Sequence, residues 1–327
     1  MPYSKHKISL QINLSPSDYQ LVKQVLPHQL KILADQVDEI LLTVESKPSK
    51  GRFSTNWVEN EADLKSLLEN ISKQYTVRIL YVDYAKETQK KVAKYFFDKK
   101  HIPEKDFRGG PFYCYFFGLF NCSNDLIFHL DADIFLGGKS NLWIQEAAML
   151  LVGQEDLLSV SPLPGPPSKN QNLIGQNILK KFDNEPYKFQ LDGFSTRIFM
   201  LKKSMLHRFK LRLKKPNLKD QLKAILFGNS NADLPEHLIS TLMHQKNLKR
   251  IDFLGSVNGL WSLHPPYRTT EFYANLHILI KKIEENNLPL SQYGFYDIVD
   301  DLVDWSEPRR KLQQKRWFKL NYLFQVR

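Results

Sequence analysis

The sequence predicts an α/β protein with a mostly parallel central sheet flanked by helices and a helical C-terminal extension. Three observations point there. Strand-like and helix-like apolar patterns alternate with short connections from Lys7 to Phe97. Polar or acidic residues (Asn13, Glu45, Asp83 and Asp131) close successive strand-like runs. From Thr270 onward the pattern is helical. The division that follows is a main domain over residues 1–270 and a basic helical extension over 271–327.

Taken in order, Lys7 to Leu14 alternates as a strand, and Tyr19, Val22, Leu26, Leu30 and Leu33 recur at helical spacing. Val37 to Val44 is a second strand, Glu61 to Tyr75 a helix, Thr76 to Val82 a third strand, and Lys86 to Phe97 a helix. The aromatic stretch Phe112 to Asn121 reads as a core helix. Leu126 to Leu130 is a buried strand running into Asp131-Ala132-Asp133, with Gly137-Gly138 allowing a sharp turn. Further on come a helix from Leu142 to Leu151, a strand from Leu157 to Val160, and the rigid loop Pro162 to Pro167. Ser168 to Asn184 is polar, as a mobile flap would be. Strands near Ile251 to Leu254 and Leu260 to Leu263 end at His264-Pro265-Pro266.

The chain has 327 residues, 42% hydrophobic and 25% charged, which fits a soluble globular protein. The longest apolar run, Pro111 to Phe120, is too short to span a bilayer. The N-terminus shows no apolar leader. Cys114 and Cys122 read as free thiols, so the expected compartment is the cytoplasm. The net charge of +11 is uneven: residues 202–223 carry +8 and residues 309–327 carry +7, leaving −4 for the remainder. Two basic patches on a mildly acidic body imply an anionic partner for those patches. Nucleic acid, an anionic membrane face and a phosphorylated substrate share that chemistry. No base-reading or base-stacking motif accompanies the patches, which weighs against nucleic acid.

Two carboxylates one residue apart at a strand end repel one another, a cost that a divalent cation between them offsets. The competing reading of Asp131 and Asp133 is an acidic strand cap. Arg108-Gly109-Gly110-Pro111 offers an arginine fork and unhindered amides at a helix start, suited to a diphosphate or to an ordinary loop with a surface ion pair. Strand ends are where ligands bind in such sheets, which brings in Asn13, Glu45 and Asp83. Asp233-Leu234-Pro235-Glu236-His237 opens a helix. Either Glu236 or His237 is a candidate general base, while Asp233 and Glu236 also match a capping box. His129 reads as a packed histidine.

The order of HLDADIFLGG, GFSTRIFMLKKSML and LPEHLISTLM resembles the nucleotide-sugar-dependent glycosyltransferases of the Rossmann-like GT-A fold, closest to the family-two group, over roughly residues 7–268. The resemblance implies a metal-dependent, inverting transfer of a hexosyl-type sugar from a nucleotide-diphosphate donor to an acceptor hydroxyl. It implies Mn²⁺ or Mg²⁺ as cofactor, held by Asp133, with Asp131 on the ribose or the metal's water shell and His264 on the metal or diphosphate. It places Glu45 near the nucleobase. The family usually carries Glu-Asp where this chain has Glu236-His237, so the base is Glu236 or its neighbour. The implied partners are a nucleotide-sugar donor and a saccharide or lipid-linked acceptor. Trp317, Leu320 and Phe324, with Arg316, Lys319 and Arg327, suggest peripheral contact of the tail with an anionic membrane or packing of a terminal helix. A nucleic-acid- or anionic-surface-binding protein and a catalytically silent sugar-nucleotide-binding relative are the alternatives. A sugar nucleotidyltransferase is disfavoured because Asn13-Leu14-Ser15-Pro16 lacks a glycine-rich loop, and a D-x-D phosphatase because its motif belongs at the first strand.

Overall fold

The computed structural model describes residues 6–48 and 56–317. Strand β1 (Ile8–Leu14) leads into helix α1 (Tyr19–Leu33), then β2 (Glu39–Val44), α2 (Trp57–Gln74), β3 (Arg78–Tyr81) and α3 (Lys86–Phe97). Helix α4 (Tyr113–Asn121) precedes β4 (Leu126–Asp131), the short β5 (Phe135–Gly137) and α5 (Trp143–Gly153). Next come β6 (Leu157–Pro164), β7 (Ile178–Lys181), β8 (Lys188–Leu191) and β9 (Ile198–Lys202), with α6 (Lys203–Phe209), α7 (Leu218–Phe227) and α8 (Pro235–Gln245) after them. Strands β10 (Lys249–Phe253) and β11 (Trp261–Leu263) precede α9 (Thr270–Ala274), α10 (Leu276–Glu284) and α11 (Ser306–Trp317).

The result is a mixed α/β fold around a large sheet of order β3-β2-β1-β4-β9-β6-β10-β8-β7. The first four strands are parallel, as expected from the short βαβ repeats. Beyond them the sheet is mixed: β9 runs antiparallel between β4 and β6, and β8 pairs antiparallel with β10 and β7. No helix lies between β6 and β9, so no helical crossover holds those strands parallel. The stretch 168–184 is partly strand, because β7 pairs along the outer edge of β8.

Alternation along β4 shows why both faces are apolar. Leu126, Phe128 and Leu130 pack with α1, α2 and α5, whereas Ile127 packs with α3, α4, α6 and α8. A third cluster joins Phe135, Leu163 and Trp261 to Phe272, Leu276, Ile298 and Trp305, so residues 271–305 share a core with the sheet's end. Of the tail residues singled out above, Lys319, Leu320, Phe324 and Arg327 lie outside the described residues, and the description of Trp317 and Arg316 stops at the backbone.

Gly137 sits in a strand instead of the expected turn, and a Cβ there would lie 2.0 Å from the Trp261 ring. Gly138 makes the turn, with φ +90° and a backbone approach to Gly259 that leaves no room for a side chain.

Candidate active site

Register gathers the strand ends on one edge: Asn13 lies opposite Asp131 on one side and Thr43 on the other, and Val44 lies opposite Tyr81. Asn13 Oδ1 accepts from Gln11 Nε2 at 2.8 Å, beside the buried Cys114 thiol. The turn after β4 is clamped from beneath by Gln29, fully buried on α1. Its Nε2 donates to the carbonyls of Asp131 (3.0 Å) and Ile134 (2.8 Å). His129 is a packed histidine, hydrogen-bonded through Nδ1 to Gln11 and stacked on Phe199, with Nε2 3.4 Å from Asp131 Oδ1.

Asp133 and His264 come together. His264 Nε2 is 3.8 Å from Asp133 Oδ2, and its Nδ1 pairs with Asp297 Oδ1 at 3.0 Å. Such a carboxylate partner on the far ring nitrogen fixes the orientation that a metal-binding histidine needs. Arg268 donates to the same Asp133 oxygen at 2.7 Å and also pairs with Asp18. Burial pushes the Asp133 carboxyl up, but Arg268, His264 and Arg197 outweigh it and hold the group below the usual carboxylate range. Asp18 behaves oppositely: burial together with the nearby Asp133 and Asp131 outweighs Arg268 and raises its pKa.

A carboxylate and an imidazole 3.8 Å apart suit one divalent cation whose other positions are taken by water or phosphate oxygens. Among the described residues no three histidine, cysteine, aspartate or glutamate side chains converge on a metal position.

Next to this pair lies a cleft of about 270 Å³ whose walls include Arg197, Glu236, Arg250, Ser262 and Tyr296. Arg197 links the two regions, because its carbonyl accepts from the Asp131 N–H at 2.7 Å. Arg250 is tied bidentately to Asp252 at 2.7 and 2.6 Å on the cleft floor. The buried hydroxyls of Ser262 and Tyr296 have no hydrogen-bond partner among the described residues.

Glu236 and His237 part company. Helix α8 begins at Pro235 with Leu234 as N-cap and no side-chain cap, so the expected capping box does not form. Proline at the first helical position moves the start one residue beyond Asp233. Glu236 faces the cleft, where Thr196 Oγ1 lies 3.5 Å from its Oε2. His237 is exposed and pairs through Nδ1 with Asp233 at 2.8 Å.

The remaining candidates form a separate group. Glu45 is buried, and its carboxylate accepts from Tyr84, Lys105 and the N–H groups of Ser46 and Lys47. Asp83 accepts from Ala85 N–H and Thr88 Oγ1 at the start of α3, and these bonds lower its pKa. The amides expected to be free in the Arg108 loop are not: Asp106 Oδ1 accepts from Arg108 N–H at 2.7 Å and Gly110 N–H at 2.9 Å. The Arg108 guanidinium is half-exposed, 3.8 Å from Asp106.

Sequence reasoning missed Asp18, Arg268, Asp297 and the Arg250–Asp252 pair. None sits in a recognisable motif, and Asp18 and Arg268 are 250 residues apart in the chain. Arg197 stands inside the GFSTRIF stretch, where its basic character was the available signal.

No family model matches the chain. No curated protein sequence matches it. Among solved structures, it is similar to S. aureus TarS 1-349 in complex with UDP-GlcNAc, with a TM-score of 0.39 and 9% identity over 82% of this chain and 60% of that one. A structure of S. aureus TarS gives a TM-score of 0.42 and 10% identity over 87% and 41%. Glucosyl-3-phosphoglycerate synthase from Mycobacterium tuberculosis, in complex with Mn²⁺, UDP and phosphoglyceric acid, gives 0.39 and 12% over 85% and 78%. The fold described above rests on this chain's own strand order and register.

Proposed function

We propose that this chain is a GT-A-like glycosyltransferase moving a sugar from a nucleotide-diphosphate donor to an acceptor hydroxyl, with inversion. One observation carries the reading. A carboxylate, Glu236, faces a cleft whose neighbouring rim is the strand-end pair Asp131 and Asp133, joined to it through Arg197.

In this reading Asp133 and His264 hold Mn²⁺ or Mg²⁺, with Asp131 toward the ribose or the water shell. The cation, when bound, offsets the charge that builds on the departing diphosphate. Arg268, shared between Asp133 and Asp18, and Arg197, which borders the cleft, keep guanidinium groups on the same side. Glu236 accepts the proton of the acceptor hydroxyl, and Thr196 orients its carboxylate. Holding both substrates across the Arg197 rim contributes as much as the proton transfer. Glu45 and Asp83 serve the nucleoside side through the residues they order, Tyr84, Lys105 and the start of α3, because their own oxygens are already bonded. Asn13, beside Asp131, completes that rim, and Arg108 reaches the diphosphate only if its guanidinium swings from Asp106. The acceptor class is saccharide or lipid-linked.

Thermal shift with nucleoside diphosphates, with and without Mn²⁺, tests the donor side. A stabilisation that needs both together, and that Asp133→Ala loses, supports the assignment. Release of labelled sugar from a donor panel, absent in Glu236→Gln, tests the transfer. Absence of nucleoside diphosphate binding in either condition overturns the assignment.

A further inference from the structure

Helix α7 (Leu218–Phe227) is attached to the body along one narrow side. Ala224 is fully buried, Asn217 Oδ1 accepts from Asp220 N–H at the N-terminus, and Gly228 in left-handed conformation closes the other end. The opposite side is apolar and bare: Leu218, Leu222, Ile225 and Leu226 are 79, 64, 68 and 81% exposed. Their spacing of four, three and one places them on a single stripe, and Phe227 is also exposed. A contiguous apolar face of this kind marks an interaction surface, unlike leucines scattered singly.

The charge around the stripe identifies what covers it. Lys219 and Lys223 follow one border of the helix, and the exposed Arg212, Lys214 and Lys215 precede it. Residues 202–223 carry nine basic side chains against the single acid Asp220. Among the described residues, only Lys223 of those nine has a carboxylate within ion-pair distance. Leucines edged by unneutralised cations match a bilayer surface, where acyl chains take the leucines and anionic headgroups the lysines. No helix among the described residues is long and apolar enough to cross a membrane, so the contact is a lateral one.

We propose that α7 lies flat on an anionic lipid surface and anchors the protein there. The anchoring also orients the cleft. Residues 228–234 lead directly from α7 to α8 and Glu236, and Asn229 Nδ2 donates to the Phe107 carbonyl at 3.2 Å, binding the helix end to the Arg108 loop.

The test is sedimentation of the full chain with vesicles of phosphatidylcholine alone or mixed with phosphatidylglycerol, at low and high salt. Wild type co-sediments with the anionic vesicles, less at high salt. The double variant Leu222→Glu and Leu226→Glu keeps the wild-type melting temperature, because both side chains are exposed, and loses vesicle affinity by more than tenfold. Lys215→Glu with Lys219→Glu weakens anionic-vesicle binding by about fivefold or more per lysine. Three outcomes overturn the proposal: no vesicle binding by wild type; unchanged binding by the leucine variant, which assigns the contact to the basic tail; or a wild-type dimer made monomeric by the leucine variant with no vesicle binding, which assigns the stripe to a second copy of this chain. Vesicle binding needs no transferase activity, so failure here and failure of the transfer reading are told apart.

Discussion

Arg268 Nη2 donates to Asp133 Oδ2 at 2.7 Å, and the same guanidinium bridges to Asp18, so one arginine is the shared counter-charge of two carboxylates. Removing it leaves both without their shared counter-charge. Fully buried pairs cost about 3–5 kcal/mol when broken. Arg268 is 35% exposed, which lets water in, so Arg268→Ala should cost about 2 kcal/mol in urea unfolding. Arg268→Lys should recover only part, since a single ammonium nitrogen cannot reproduce the separate reach of Nη1 to Asp18 and Nη2 to Asp133. Equal stability of Arg268→Ala and wild type would mean that the bridge contributes nothing net.

His28 links three elements in a protonation-dependent way. Its Nδ1 donates to Glu284 Oε1 at 2.9 Å, while Nε2 accepts from the Leu136 N–H at 3.2 Å, which requires the neutral ring. Burial lowers its pKa from the usual 6.5 by more than Glu284 raises it. The unfolded chain therefore binds a proton near pH 6.5 that the folded chain refuses. The stability from His28 is full above that pH and declines as pH falls below it. The difference in melting temperature between wild type and His28→Gln should shrink from pH 7.5 toward about 5. A difference that grows on acidification contradicts the neutral assignment.

Much of this was readable in sequence where local pattern and tertiary role agree. The parallel half of the sheet followed from alternating strand and helix periods, and Asp131 and Asp133 stood out because a strand rarely ends on two acids. What stayed hidden depends on distant pairing. Arg268 acquires meaning only when β11 and β5 fold its segment back onto Asp18 and Asp133. Asp106 looks like an ordinary loop acid, yet it takes the amides that the glycines expose. The capping box failed because Pro235 sets the helix start, a local rule overlooked beside a stronger-looking motif.

The clamp on the D-x-D turn gives a test that touches no ligand. Gln29 is fully buried, and one amide nitrogen serves both the Asp131 and Ile134 carbonyls. Gln29→Leu keeps the bulk and takes the donor from the Ile134 carbonyl, while the Asp131 carbonyl keeps the Ile134 N–H at 3.2 Å. The expected cost is about 1–3 kcal/mol for the unpaired group. On the proposed function, nucleoside diphosphate affinity falls as well, because Asp131 and Asp133 flank the loosened turn. Calorimetric unfolding and binding titration measure the two effects separately, and loss of stability with donor affinity intact would detach the clamp from the site.

Glu236 and His237 provide the sharpest separation, because adjacent residues face different surroundings. Glu236 lies in the cleft within reach of Thr196, whereas His237 is exposed and committed to Asp233. If Glu236 is the base, Glu236→Gln preserves shape and should lower kcat by about 10²–10⁴-fold with KM nearly unchanged. His237→Ala should leave kcat within a few-fold of wild type, since its loss removes only a surface pair. Thr196→Val, which deletes the hydroxyl beside Glu236, should lower kcat less than Glu236→Gln. The reverse ranking, with His237→Ala inactive and Glu236→Gln active, would move the base out of the cleft and require α8 to rotate before reaction.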